Sequence, residues 1–244
     1  MPHRHWLAAI PGHLSKIKLA LWLLGLFPLI ELILDYRQNT LGFDPLDRIV
    51  RSTGSDALIL LLAVLAITPL RYLLTMTMRL VRARHGKRVS DWNWVIKLRR
   101  VLGLLCFLYA TLHFGIYLWL DQGGNLANAL RDNLDRPYIA IGSVAFLMLV
   151  PLALTANDYS MRVLGKKWRL MHRMVYLIII LSIIHYLMLT KLGVNDPVPY
   201  TWIMVILLGW RIWFAMKAKQ SKIADYGMET PDRDSASPSA IHQE

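Results

Sequence analysis

Six apolar stretches of similar length divide this chain, roughly Leu19 to Leu34, Ala57 to Leu74, Val101 to Leu120, Tyr138 to Leu154, Met174 to Thr190 and Tyr200 to Met216. Each is close to the ~17–25 residues a helix needs to cross the hydrocarbon core of a bilayer. In lipid every backbone amide and carbonyl must find its partner within the protein, so such stretches fold as helices. The expected fold class is an all-α membrane protein, a six-transmembrane-helix bundle. Its organisation reads as an N-terminal segment over residues 1–18, a six-helix domain over 19–217, and a polar tail over 218–244 that is expected to be disordered.

Charge sets the expected orientation, because cytoplasmic loops retain Lys and Arg. With the N-terminus inside, the cytoplasmic segments hold 22 of the 28 basic residues and the opposite loops hold 6. Both termini are then cytoplasmic, and the net charge of +12 reflects topology and contact with anionic lipid. Nucleic-acid binding is disfavoured, since no soluble domain presents a basic surface. The first apolar run lacks a small-residue cleavage site and continues into FPLIELILDY, so it is expected to be a retained helix. The lone cysteine, Cys106, excludes an intrachain disulfide or a Cys-ligated cluster. No GxGxxG motif, phosphate loop or extramembrane dinucleotide domain is present, so an electron-transferring chain of this kind needs a separate donor and a separate acceptor.

Two of the apolar stretches carry one histidine each, His113 and His185. An ionisable ring at bilayer depth is a candidate functional group whose partner should be sought. At about 1.5 Å of rise per residue, His113 lies about 18 Å outward from Val101 and His185 about 17 Å outward from Met174. Matching depth suits them as the two axial ligands of one haem iron, whose apolar macrocycle fits a bundle core. The alternative is a pair of core histidines, each hydrogen-bonded to a neighbouring helix. Zinc is less suited, for want of further ligands.

A second haem toward the cytoplasm is only half provided for. His172 lies 13 residues before His185, but the position 14 before His113 is Arg99, which is suited to a haem propionate or a flavin phosphate rather than to iron. Glu31 and Asp35 at the outer end of the first helix are candidates for proton transfer or for plain interfacial placement. Pro69 and Pro151 are expected near helix boundaries. The long basic loop from Arg79 to Arg100, with Trp92 and Trp94, reads as an interfacial segment with aromatic anchors, or as a docking face for an electron donor. The outer loops Asp121 to Pro137 and Lys191 to Pro199 are candidates for a partner surface.

In ITPLR around Pro69, in LRRVLGLLCFLYATLHFGIY, and in PLALTANDYSMRVLGKKWRLMHRMVYLIIILSIIHYLML, the chain resembles the MsrQ (YedZ) family of bacterial inner-membrane haem proteins, within the ferric-reductase-like transmembrane group. The resemblance covers about Leu19 to Lys217. It implies haem b, at least one per chain, with the LHF, LHR and IHY histidines at His113, His172 and His185, and FMN as an associated cofactor. It also implies a non-catalytic electron-transfer subunit, which takes electrons from the quinone pool or a cytoplasmic flavin reductase. These pass to MsrP, a periplasmic molybdopterin enzyme that repairs oxidised methionines. Other readings of the residues are a stand-alone ferric or quinone reductase and a small proton-coupled transporter. The absence of paired broken helices counts against the transporter.

Overall fold

The computed structural model describes residues 10–189 and 197–228, and every regular element among them is helical. The expectations for residues 1–9, for most of the last outer loop and for the tail from 229 lie outside the described residues. Nine helices are labelled in chain order. They are α1 (Leu14–Arg37), α2 (Pro45–Leu80), α3 (Arg99–Ile116), α4 (Leu126–Asp135), α5 (Pro137–Leu154), α6 (Asp158–Leu164), α7 (Lys166–Met171), α8 (Val175–Leu189) and α9 (Val198–Met228).

Six spans, Leu14–Arg37, Pro45–Leu80, Val89–Leu120, Pro137–Leu154, Lys166–Leu189 and Val198–Lys217, are long and apolar enough to cross a bilayer. Their outward surfaces expose large apolar side chains such as Leu23, Leu24 and Phe27 of α1 and Leu147 of α5. That is the surface of a multi-pass membrane protein, since soluble proteins rarely leave such continuous apolar area in water.

The core is a ring of four helices. α2 packs along α3 and α5 along α8, while α3 meets α5 and α8 meets α2. Leu58, Leu61, Leu62 and Leu65 of α2 interdigitate there with Cys106, Leu149, Ile178, Ile179 and Ile183. Among helices in lipid, apolar burial gives no net driving force, so close packing and interhelical hydrogen bonds hold the ring together. α1 contributes no buried residue and lies against α3. At Gly25 the Leu105 side chain lies so close to the α1 backbone that an added methyl group would collide with it. One turn on, beside Pro28, the buried Tyr109 hydroxyl accepts from the Leu29 amide (3.1 Å) and donates to the Gly25 carbonyl (2.8 Å). A side chain inserted into the helical ladder in this way is a recognised cause of a bend.

α2 starts at an Asp44 cap, whose carboxylate accepts from the Asp47 amide at 3.0 Å, with Pro45 at the first helical position. It runs through Pro69 without ending, contrary to the boundary expected there. Proline removes the donor that would bond the carbonyl four residues earlier. Here that carbonyl belongs to Leu65 and accepts instead from the Arg211 guanidinium of α9 at 2.9 Å. The loop after α2 also differs from expectation. Trp92 is no lipid anchor: it is buried in a second apolar cluster with Ile67, Val95 and Leu102, and its indole N–H donates to the Gly86 carbonyl at 3.0 Å. α9 continues past Lys217 to Met228, so the first part of the expected tail is helical.

Candidate functional site

His113 stands in the last turn of α3, just before a π-helical turn at Tyr117–Asp121, and His185 stands near the end of α8. The ring brings them together. Their imidazole centroids are 6.3 Å apart and their planes are inclined at 83°. The equal depth inferred from counting residues thus becomes an actual pair.

Each ring is tied to a helix other than its own. His113 Nδ1 lies 2.9 Å from the Val50 carbonyl of α2, and His185 Nδ1 lies 2.6 Å from the Tyr138 carbonyl of α5. A carbonyl can only accept, so each Nδ1 carries the proton, and Nε2 of each ring keeps its lone pair. Metal-ligating histidines are held in just this way, with one nitrogen donating to a backbone carbonyl and the other free for the metal. Imidazole nitrogens bind a transition metal at about 2.0–2.1 Å, so two rings on opposite sides of one ion would have their centres roughly 6.3 Å apart. The residues present therefore fit one iron with two axial imidazoles. Beside them Phe114 stacks on Phe146 of α5, with centroids 4.8 Å apart, giving the pair an apolar flank.

Sequence reasoning passed over Gly54 and Gly142. A Cβ built on Gly54 would lie 2.9 Å from His113 Cε1, and one on Gly142 would lie 2.7 Å from His185 Nδ1. The available signal was weak: Gly142 lies inside the fourth apolar stretch, where glycine costs helix propensity without ending the helix, and Gly54 lies in the polar run RSTGSD just before the second.

The other predicted residues are not brought to this pair. His172, in a turn before α8, has its Nδ1 3.1 Å from the Trp168 carbonyl of its own chain segment and stacks on that indole at 3.8 Å. Thirteen residues of helix put it about 20 Å from His185 along the axis. Arg99 turns to α2 and donates to the Thr68 hydroxyl. It lies in the field of Arg71 and Arg211. Arg71 bonds Asn93 and the Val89 carbonyl; Arg211 bonds the Tyr176 hydroxyl at 2.6 Å and sits over that ring. The Nε atoms of all three arginines, and the indole nitrogens of Trp94 and Trp210, are buried without a partner among the described residues.

Glu31 and Asp35 line a cavity of about 610 Å³ at the opposite end of the bundle, together with Arg48, Arg51, Asp56 and Tyr186. Asp35 is paired there with Arg48 at 3.2 Å. Ser55 and Tyr186, the chain neighbours of Gly54 and His185, form part of its wall, while His113 and His185 themselves do not line it.

A multi-pass helical bundle with two facing, carbonyl-anchored imidazoles defines a class of membrane redox proteins, and residues 53–183 match the family described as ferric reductase like transmembrane component. The chain is 39% identical over 204 residues to the protein-methionine-sulfoxide reductase heme-binding subunit MsrQ of Azospira oryzae, covering 83% of this chain and 81% of that one. It is 38% identical to the same subunit of Ralstonia nicotianae, over 92% of this chain and 97% of that one, and 40% identical to that of Xanthomonas axonopodis pv. citri, over 75% and 77%. The chain belongs to the MsrQ family, and it is a membrane redox subunit.

Proposed function

We propose that this chain is a non-catalytic electron carrier that holds haem b through His113 and His185 and delivers electrons to a periplasmic molybdopterin enzyme of the MsrP type, which reduces methionine sulfoxide in oxidised proteins. The observation that carries the reading is the imidazole pair, with each Nδ1 bound to a carbonyl and each Nε2 left free. The relatives, heme-binding subunits of a protein-methionine-sulfoxide reductase, support the same cofactor and the same system.

Bound there, haem supplies a one-electron couple in the low-dielectric interior of the bundle. The chain's own contribution is position. Val50 and Tyr138 fix the tautomer and orientation of the two ligands. The six-helix domain over 19–217 sits in the bacterial inner membrane against lipid, with residues 1–18 and 218–244 on the cytoplasmic side. Because the histidine pair lies at the end opposite the basic loops, this orientation puts it toward the periplasmic acceptor. On the cytoplasmic side Arg99, with Arg71 and Arg211 beside it, holds an anionic group, a flavin phosphate or a haem propionate, by charge-assisted hydrogen bonds. His172 serves a second cofactor at that level. Electrons enter from the quinone pool or a cytoplasmic flavin reductase.

The test is reconstitution in vesicles with MsrP. The chemically reduced protein should be reoxidised only when MsrP and methionine sulfoxide are both present, and His113→Ala should abolish the exchange. A second reading, a stand-alone ferric or quinone reductase, is favoured by the 610 Å³ cavity whose wall includes Tyr186, the chain neighbour of His185. Sustained reduction of a ferric chelate by the chain in the absence of MsrP would select it.

A further inference from the structure

The two histidines are seated by the same device, used twice. In each case the accepting carbonyl belongs to a residue four positions before a glycine, Val50 with Gly54 on α2 and Tyr138 with Gly142 on α5. A helical Cβ leans toward the N-terminus, so the side chain at one position covers the carbonyl about one turn earlier. Glycine at 54 and at 142 uncovers that carbonyl and leaves a notch into which the neighbouring helix's imidazole descends.

These two notches receive an imidazole. Gly25 of α1 faces the Leu105 side chain instead, and Gly103, Gly115 and Gly209, also in or near the apolar spans, would find nothing within 4 Å of an added Cβ. His172 has no such notch: its ring meets the Trp168 carbonyl of its own segment and the Leu152 carbonyl of α5, and the residue four positions after Leu152 is Ala156 rather than glycine.

The geometry points to Gly54 and Gly142 as positioning residues that hold the two ligand rings mutually perpendicular. This rests on the reading that His113 and His185 ligate one iron. An imidazole N–H lies in the plane of its ring, so a near-linear bond to a carbonyl fixes the plane to contain that oxygen. Val50 and Tyr138 belong to different helices, and the two planes they select stand at 83°. A methyl group at 54 would come within 2.9 Å of the His113 ring, and one at 142 within 2.7 Å of the His185 ring. Neither distance is compatible with van der Waals contact, so the ring must rotate or withdraw, and its plane is no longer set by the carbonyl.

Electron paramagnetic resonance of the ferric, haem-loaded protein reads this angle. Perpendicular imidazoles give one strongly anisotropic low-field line, whereas near-parallel ones give a rhombic three-line spectrum. The wild-type chain should show the former. Gly54→Ala and Gly142→Ala should each move it toward the rhombic form and shift the midpoint potential, or release haem, while Gly209→Ala keeps haem and the wild-type spectrum. A wild-type rhombic spectrum overturns the inference while leaving the bis-histidine site standing, as does a wild-type spectrum retained in both notch variants. A wild-type chain without low-spin haem removes the site and the inference together.

Discussion

Pro69 and Arg211 form a pair whose energetic coupling can be worked out from the structure. Pro69 has no amide hydrogen, and the Leu65 carbonyl it leaves free accepts from Arg211 Nη2 at 2.9 Å, while Nη1 holds the Tyr176 hydroxyl at 2.6 Å. Arg211→Met orphans that carbonyl. Polar contacts between membrane helices average ~0.6 kcal/mol and reach ~1.7 kcal/mol, below the ~1.5–3 kcal/mol of charged hydrogen bonds in soluble proteins. With two bonds lost, Arg211→Met should destabilise the wild-type background by about 1–2 kcal/mol. Removing an uncompensated guanidinium acts the other way, but it acts in every background. Pro69→Ala restores an amide that can bond the Leu65 carbonyl directly, so in that background the loss of Arg211 should cost less. The four proteins form a double-mutant cycle, measured by reversible unfolding in mixed micelles followed by circular dichroism. The expected coupling is about 0.6–1.7 kcal/mol. Additivity within ~0.3–0.5 kcal/mol, the usual figure for independent sites, would refute the link between the proline and the arginine.

Three further outcomes can be checked. Native Cys106 is only 2% exposed and gives a silent background for labelling, so Asn128→Cys should react with an impermeant thiol reagent in intact cells and Ser90→Cys only after permeabilisation. The reverse pattern would invert the orientation. The hydrogen bond and charge of Arg100, 2.5 Å away, hold the exposed Asp158 carboxyl below its ordinary value of 3.8. Its folded-state pKa is thus depressed, and the pair's small contribution is complete above pH 3.8 and fades as pH falls through the lower folded value. Asp158→Asn should therefore lower thermal stability slightly at pH 7 and make no difference in strong acid; an equal effect at both would exclude the pair as its source. His172→Ala should leave the haem held by His113 and His185 in place, with any spectral loss confined to a second component.

The sequence carried the spans and the histidine pair because both depend on short-range rules, apolar run length and residue count along a helix. What it missed depends on a partner from elsewhere in the chain. Pro69 read as a boundary because its missing donor was visible and the compensating guanidinium, 142 positions away, was not. Trp92 read as a lipid anchor because nothing local shows that Ile67 and Leu102 enclose it. The notches at Gly54 and Gly142 need the facing ring to have meaning. Arg99 was singled out alone, whereas the fold groups it with Arg71 and Arg211 from two other helices. The short amphipathic α4, capped by Asn125 and tied to the end of α3 through Tyr117 and Asp132 at 3.0 Å, lay in what read as a plain loop.

The most direct test of the account is haem stoichiometry, with oxidised and dithionite-reduced visible spectra, for the purified wild type and for His113→Ala and His185→Ala. The wild type should show a low-spin b-type spectrum, and both variants should lose that component. A full haem complement retained by both variants, or a wild type that takes up no haem when it is supplied, would contradict it.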